Sequence, residues 1–146
     1  MPQPRHHIDT SVILESEKTI DGRFCRRYLL KLPHNYNGVF SSPVMSELMI
    51  SMLTLKEFEK RHRFLDILTN VMENGKIEVY MPQNIGELLT KIKDIDSRLQ
   101  PTDIEIVACA VENEALNLIT LDKKLIGNKT LEREFGLKIS HPKDLL

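Results

Sequence analysis

The chain has 146 residues, 41% of them hydrophobic and 28% charged, which is enough apolar content for one ordinary core and suggests a single domain spanning 1–146. A formal net charge of −1 and a sequence pI of about 6.5 argue against an extended basic nucleic-acid-binding surface but leave room for a local basic patch. No apolar run approaches the ~20 residues of a membrane span, no secretory segment follows Met1, and Cys25 and Cys109 form no metal-binding pair, so the expectation is a cytoplasmic protein in a reducing compartment.

In chain order, residues 5–14 read as a short buried strand that ends near Asp9, although His6 and His7 weaken it. Asp21 to Leu32 reads as a helix with Phe24, Tyr28 and Leu29 on one face and Arg23, Arg26, Arg27 and Lys31 on the other. Cys25, flanked by two arginines, reads as a partly exposed thiol. Pro33 and the turn chemistry of HNYNG end the helix. Val39 and Phe40 make a very short strand, and Ser42-Pro43 starts a helix with Ser42 as the N-cap.

That helix carries Met45, Leu48, Met49 and Met52 at spacings of three and four. The segment 55–74 repeats the pattern with Leu55, Phe58, His62, Leu65, Leu68 and Met72, and Gly75 stands at its end. A stripe this long exceeds what one small core covers and predicts a homodimer. Lys76 to Met81 alternates as a strand through Ile77, Val79 and Met81. Asn84 caps a helix that reaches Leu99, and Gln100-Pro101 breaks the chain. Thr102 and Glu105 have the spacing of a capping box for the next helix. A strand at 116–120, a short helix at 131–135, Gly136 and a strand at 137–140 complete the chain. This alternation predicts an α/β three-layer sandwich with a mostly parallel central sheet.

Four acids stand out in this frame. Asp9 and Asp122 fall at the carboxyl ends of strands, where open parallel sheets bind ligands. Asp103 opens a helix, and Glu47 sits inside an apolar one with no basic residue three or four positions away. Four carboxylates converging on one edge repel each other, and a divalent cation with a taste for oxygen ligands, Mg²⁺ or Mn²⁺, relieves that repulsion. Each acid also has a bland reading. Asp9 can cap the turn that follows it, Asp103 can complement a helix N-terminus, and Asp122 can be a turn residue. Glu47 has the least comfortable one. No histidine is assigned to the metal: His62 reads as a core or interface residue, and His34 and His141 as turn residues. The cluster Lys56, Lys60, Arg61 and Arg63 reads as a solvated face, whereas Lys123 and Lys124 adjoin Asp122 and are better placed to meet a phosphate backbone.

Taken together, HIDTSVILE, VMSELMI, PTDIEIVACA and LITLDKKL resemble the PIN-domain ribonucleases, in particular the VapC-type toxins of prokaryotic toxin–antitoxin pairs. Thr120, two positions before Asp122, and Ser11 near Asp9 fill polar positions that accompany the acids in that family. The resemblance implies a PIN-like fold and Mg²⁺- or Mn²⁺-dependent endonucleolytic hydrolysis of RNA that leaves a 5′-phosphate. It makes Asp9, Glu47, Asp103 and Asp122 the catalytic and metal residues, Asp9 being the foremost direct ligand. It further implies an RNA substrate, an antitoxin partner and pairing through helices. Two alternatives share the fold: an RNA-processing nuclease outside toxin–antitoxin systems, and a non-catalytic RNA- or protein-binding module. A phosphoryl-accepting receiver domain is a third class, but its acid pairing before the first helix fits this chain poorly.

Overall fold

Five short strands, β1 (Arg5–Ile8), β2 (Asn37–Ser41), β3 (Glu78–Tyr80), β4 (Asn117–Ile119) and β5 (Lys138–Ser140), pair in parallel throughout, in the order β3-β2-β1-β4-β5. They belong to a computed structural model that describes residues 3–146. The order runs outward from β1 in one direction and from β4 in the other. A crevice therefore opens between the carboxyl ends of these two neighbours, the usual position of a ligand site in a doubly wound sheet.

Helices connect the strands: α1 (Thr10–Leu14) and α2 (Ile20–Leu29), then α3 (Ser42–Leu53) and α4 (Phe58–Asn74), then α5 (Gly86–Ile95) and α6 (Pro101–Glu112), and last α7 (Lys129–Phe135). Right-handed crossovers carry helices to opposite faces when the strand order reverses. Accordingly α1 packs on α2 and α3, α3 packs on α4, and α5 packs on α6 and α7. The core joins Ile8, Phe40, Leu118 and Ile119 of the sheet to Val12, Val44, Leu48, Ile106 and Val107 of the helices. Among the described residues no helix is long and apolar enough to cross a membrane.

Several local expectations need correction. The first strand stops at Ile8, and residues 10–14 are helical. α2 spans Ile20–Leu29, starting one residue earlier and ending three earlier than expected, with the Thr19 hydroxyl accepting the Gly22 N–H at 2.9 Å. Ser41, not Ser42, is the N-cap of α3, and it makes no side-chain cap bond. α4 begins at Phe58, so Leu55 lies outside it. Ile85 rather than Asn84 precedes α5, which ends at Ile95 because Asp96 leaves the helix to clamp Arg98. Gln100 is the N-cap of α6, so Asp103, not Glu105, occupies the box position, and its carboxylate accepts the Gln100 N–H at 3.4 Å. At the starts of α3 and α6 the cause is the same: polar residues stand side by side, and packing decides which of them caps. Cys25 is buried, and burial together with Asp21 and Glu15 pushes its thiol up to about 12, so the neighbouring arginines do not activate it.

The two strand histidines are part of the core, each only 1% exposed. The His6 ring stacks on Tyr36 with centroids 4.1 Å apart, and its Nδ1 lies 2.6 Å from the Tyr28 hydroxyl. Burial lowers both imidazoles to about 4, so both are neutral at pH 7. The unfolded chain takes up protons near 6.5, where the folded protein does not. Stability is therefore lost as pH falls from 6.5 toward 4, by up to about 1.4 kcal/mol per pH unit for each group. We expect His6→Gln, which keeps a partner for Tyr28, to flatten the urea midpoint against pH over this window by one proton's slope. An unchanged slope would show that His6 is not part of the acid response.

Candidate metal centre

A cavity of about 460 Å³ opens at the crevice between β1 and β4, and all four acids line it: Asp9, Glu47, Asp103 and Asp122. Each arrives from a different element. Asp9 follows β1, and its own N–H donates to the Ile119 carbonyl at 2.8 Å, which fixes it to the neighbouring strand. Glu47 lies on α3 behind the buried Leu48. Asp103 is in the first turn of α6, and Asp122 follows β4. The meeting of α3 with α6 brings Glu47 within electrostatic reach of Asp103 and Glu105.

A hydroxyl frame orients these carboxylates. Asp9 Oδ2 accepts two hydrogen bonds, from the Thr120 hydroxyl at 2.7 Å and from the Ser11 hydroxyl at 2.8 Å. Those hydroxyls in turn accept the backbone N–H groups of Asp122 and Leu121, both at 3.0 Å. The Thr10 hydroxyl donates to Glu47 Oε1 at 2.6 Å. Asp122 Oδ1 accepts the Lys124 N–H at 2.9 Å, so its turn role is real. Asp103 also plays its helix-start part. Asp9, by contrast, makes no cap bond to α1. The sequence pointed to Ser11 and Thr120. It gave no sign of Thr10, whose partner stands 37 positions away, nor of Glu105 as a fifth negative charge near Glu47.

Each acid thus spends one oxygen on local structure. The other oxygens, Asp9 Oδ1, Glu47 Oε2, Asp103 Oδ1 and Asp122 Oδ2, accept nothing from the described residues. None of the four carboxylates forms an ion pair among those residues. Burial raises the pKa of Glu47, with Asp9, Asp103 and Glu105 adding to the rise. Burial likewise raises Asp103, with Asp122 and Asp9 adding. This donor set fits a hard divalent cation. Among the described residues no three acid, histidine or cysteine side chains close tightly enough to ligate one ion directly.

No family model matches the sequence, and comparison with curated proteins gives no match. Solved structures do match. The chain is similar to a chain of VapBC2 from Rickettsia felis bound to a promoter DNA fragment, with a TM-score of 0.69 and 19% identity over 94% of this chain and 98% of that one. It is similar to a chain of VapBC-1 from nontypeable Haemophilus influenzae, with a TM-score of 0.67 and 21% identity over 94% and 98% of the two chains. FitAcB from Neisseria gonorrhoeae gives 0.65 and 17% identity over 94% and 97%. The parallel five-stranded sheet, its flanking helices and this likeness over nearly the whole length establish that the chain has the PIN-like α/β fold of these toxin–antitoxin structures.

Proposed function

We propose that the protein is a Mg²⁺- or Mn²⁺-dependent endoribonuclease, and that it serves as the toxin of a VapBC-type pair. The observation that carries this reading is the set of four carboxylates around one cavity, each with an oxygen left over and none in an ion pair among the described residues. Asp9, Glu47, Asp103 and Asp122 would hold the ion, with Asp9 the most rigidly mounted. When bound, a divalent cation supplies Lewis-acid stabilisation for charge that builds on the phosphate oxygens. The chain's own contribution is positioning. Ser11 and Thr120 keep Asp9 in one orientation, and Thr10 keeps Glu47 in one. In this reading Glu47, whose Oε2 accepts no bond from the described residues, would also help to orient an attacking water beside the ion. The expected product carries a 5′-phosphate. The test is incubation of the purified protein with a panel of single-stranded RNAs in Mn²⁺ and in EDTA. We expect cleavage in Mn²⁺ only, whereas equal cleavage in EDTA would refute a metal mechanism.

The outer faces of α3 and α4 support a homodimer. Of the expected α4 stripe only Leu68 is buried, while Phe58 is 75% exposed and His62 and Leu65 are also exposed. Ile50 and Leu53 of α3, which packs on α4, add to this apolar surface. Two copies that bury it remove a surface too apolar to leave wet. We expect Phe58→Glu to shift sedimentation from dimer to monomer at micromolar concentration without lowering the stability of the monomer fold by more than about 0.5 kcal/mol, as usual for a surface site. A monomeric wild-type protein at high micromolar concentration would refute the pairing.

A further inference from the structure

Residues 121–124 wall two cavities at once. Leu121 and Asp122 line the acidic one, and Lys123 and Lys124 line a second, open hollow of about 680 Å³. Arg98 and Lys129 also line this hollow, and Asp96 is the one acid there. The lining therefore carries three positive charges in excess. No aromatic side chain lines it.

The floor of the hollow is built rather than incidental. The buried Asp96 carboxylate holds the Arg98 guanidinium through Nε at 3.0 Å and Nη2 at 2.9 Å, and also accepts the Arg98 backbone N–H at 3.0 Å. The Asn128 amide donates to the same carboxylate at 3.2 Å, which ties the end of α5 to the loop before α7. Arg98 Nη1 keeps its donors without a partner among the described residues. A two-pronged clamp fixes a guanidinium plane, so little side-chain freedom remains to be lost when an anion arrives. The two cavities also share a hydrogen bond, since the Lys124 N–H of one wall donates to Asp122 Oδ1 of the other at 2.9 Å.

We propose that this hollow is a subsite for the backbone phosphates of a single-stranded nucleic acid whose neighbouring phosphate lies in the acidic cavity. It rests on the nuclease reading and extends it. The five acids that line the acidic cavity, Glu15 and the four candidate ligands, repel a polyanion, and an excess of positive charge on the adjoining wall offsets that repulsion where the strand continues. The lack of aromatic side chains means that the hollow senses charge, not base identity, because there is nothing on which bases can stack.

The test is binding of a single-stranded RNA oligonucleotide in EDTA across a salt series, using full-length wild-type protein and the Lys123→Ala/Lys129→Ala variant. Each phosphate contact contributes a slope of roughly 0.7 in log K against log salt on a single strand. We expect the double variant to lower the slope by about 1.4 and to weaken binding roughly tenfold, equally for oligonucleotides of different sequence. Lys123→Arg/Lys129→Arg should bind as the wild type does. A control pair on the far cluster, Lys56→Ala/Arg63→Ala, should leave the slope unchanged. An unaltered slope in the Lys123/Lys129 variant overturns the proposal. So does weakened binding of polyglutamate with RNA binding intact, because that would assign the hollow to an acidic protein segment. Absence of cleavage by the wild type in Mn²⁺ would count against the nuclease reading and leave the binding result standing.

Discussion

On the proposed reading, Asp9→Asn is expected to lower cation-dependent cleavage by at least about a hundredfold and yet to raise the melting temperature of the metal-free protein. The two effects share one cause. Asp9 Oδ2 is committed to the hydroxyls of Ser11 and Thr120. An asparagine carbonyl oxygen in the same place accepts both bonds, so the frame survives. What disappears is a negative charge that pushes up the pKa of both Glu47 and Asp103. A carboxyl whose folded pKa is raised opposes folding once pH exceeds that pKa. Removing one neighbour is therefore expected to stabilise the metal-free fold at neutral pH. The gain should fade as pH falls through the range where Glu47 and Asp103 protonate. Loss of a ligand exceeds the 10–100-fold typical of supporting residues, which sets the lower bound on the activity loss. Thermal melting in EDTA and initial cleavage rates in Mn²⁺ check both halves. A variant that cleaves like the wild type would remove Asp9 from the catalytic set. A less stable variant would mean that the Asp9 hydrogen bonds need the full carboxylate charge.

Gly22→Ala is expected to destabilise the protein by about 3 kcal/mol, although the same change in an exposed helix would stabilise it by up to about 1 kcal/mol. A methyl group at Gly22 would stand 1.8 Å from the Ser16 carbonyl oxygen and 3.1 Å from the Thr19 hydroxyl. The first of these is backbone and cannot rotate away. The turn and α2 must separate, which breaks the Thr19 cap bond to the Gly22 N–H and disturbs the seat of Cys25 and Tyr28. Overpacking of about 2 kcal/mol, plus a lost cap worth about 1 kcal/mol, gives the figure. Urea unfolding of the variant decides it: a loss below about 1 kcal/mol would show that the turn yields freely.

The four acids could be read in the sequence because each stands where its chemistry is awkward for structure alone, either at the end of an apolar strand or on an apolar helix. Their convergence follows from the alternation of strands and helices, since a parallel sheet brings its carboxyl ends to one edge. The frame around them was less legible. Thr10 sits in what reads as a strand, and its bond to Glu47 depends on how α1 packs against α3. The caps at Ser41 and Gln100 lost to neighbouring polar residues in the sequence reading, because local preference cannot separate adjacent candidates. His6 and His7 looked like obstacles to a buried strand, but Tyr28, Tyr36 and Asn113, remote in the chain, make their burial tolerable. The α4 periodicity revealed an apolar stripe and said nothing about what covers it. Periodicity reports a face, whereas burial depends on a partner.

The central claim is that Asp9, Glu47, Asp103 and Asp122 form one divalent-cation site. Titration of Mn²⁺ into the metal-free protein and into Asp9→Asn, Glu47→Gln, Asp103→Asn and Asp122→Asn tests it most directly. The account predicts saturable binding to the wild type that each of the four substitutions weakens by at least about tenfold. Wild-type affinity retained in all four variants would contradict it.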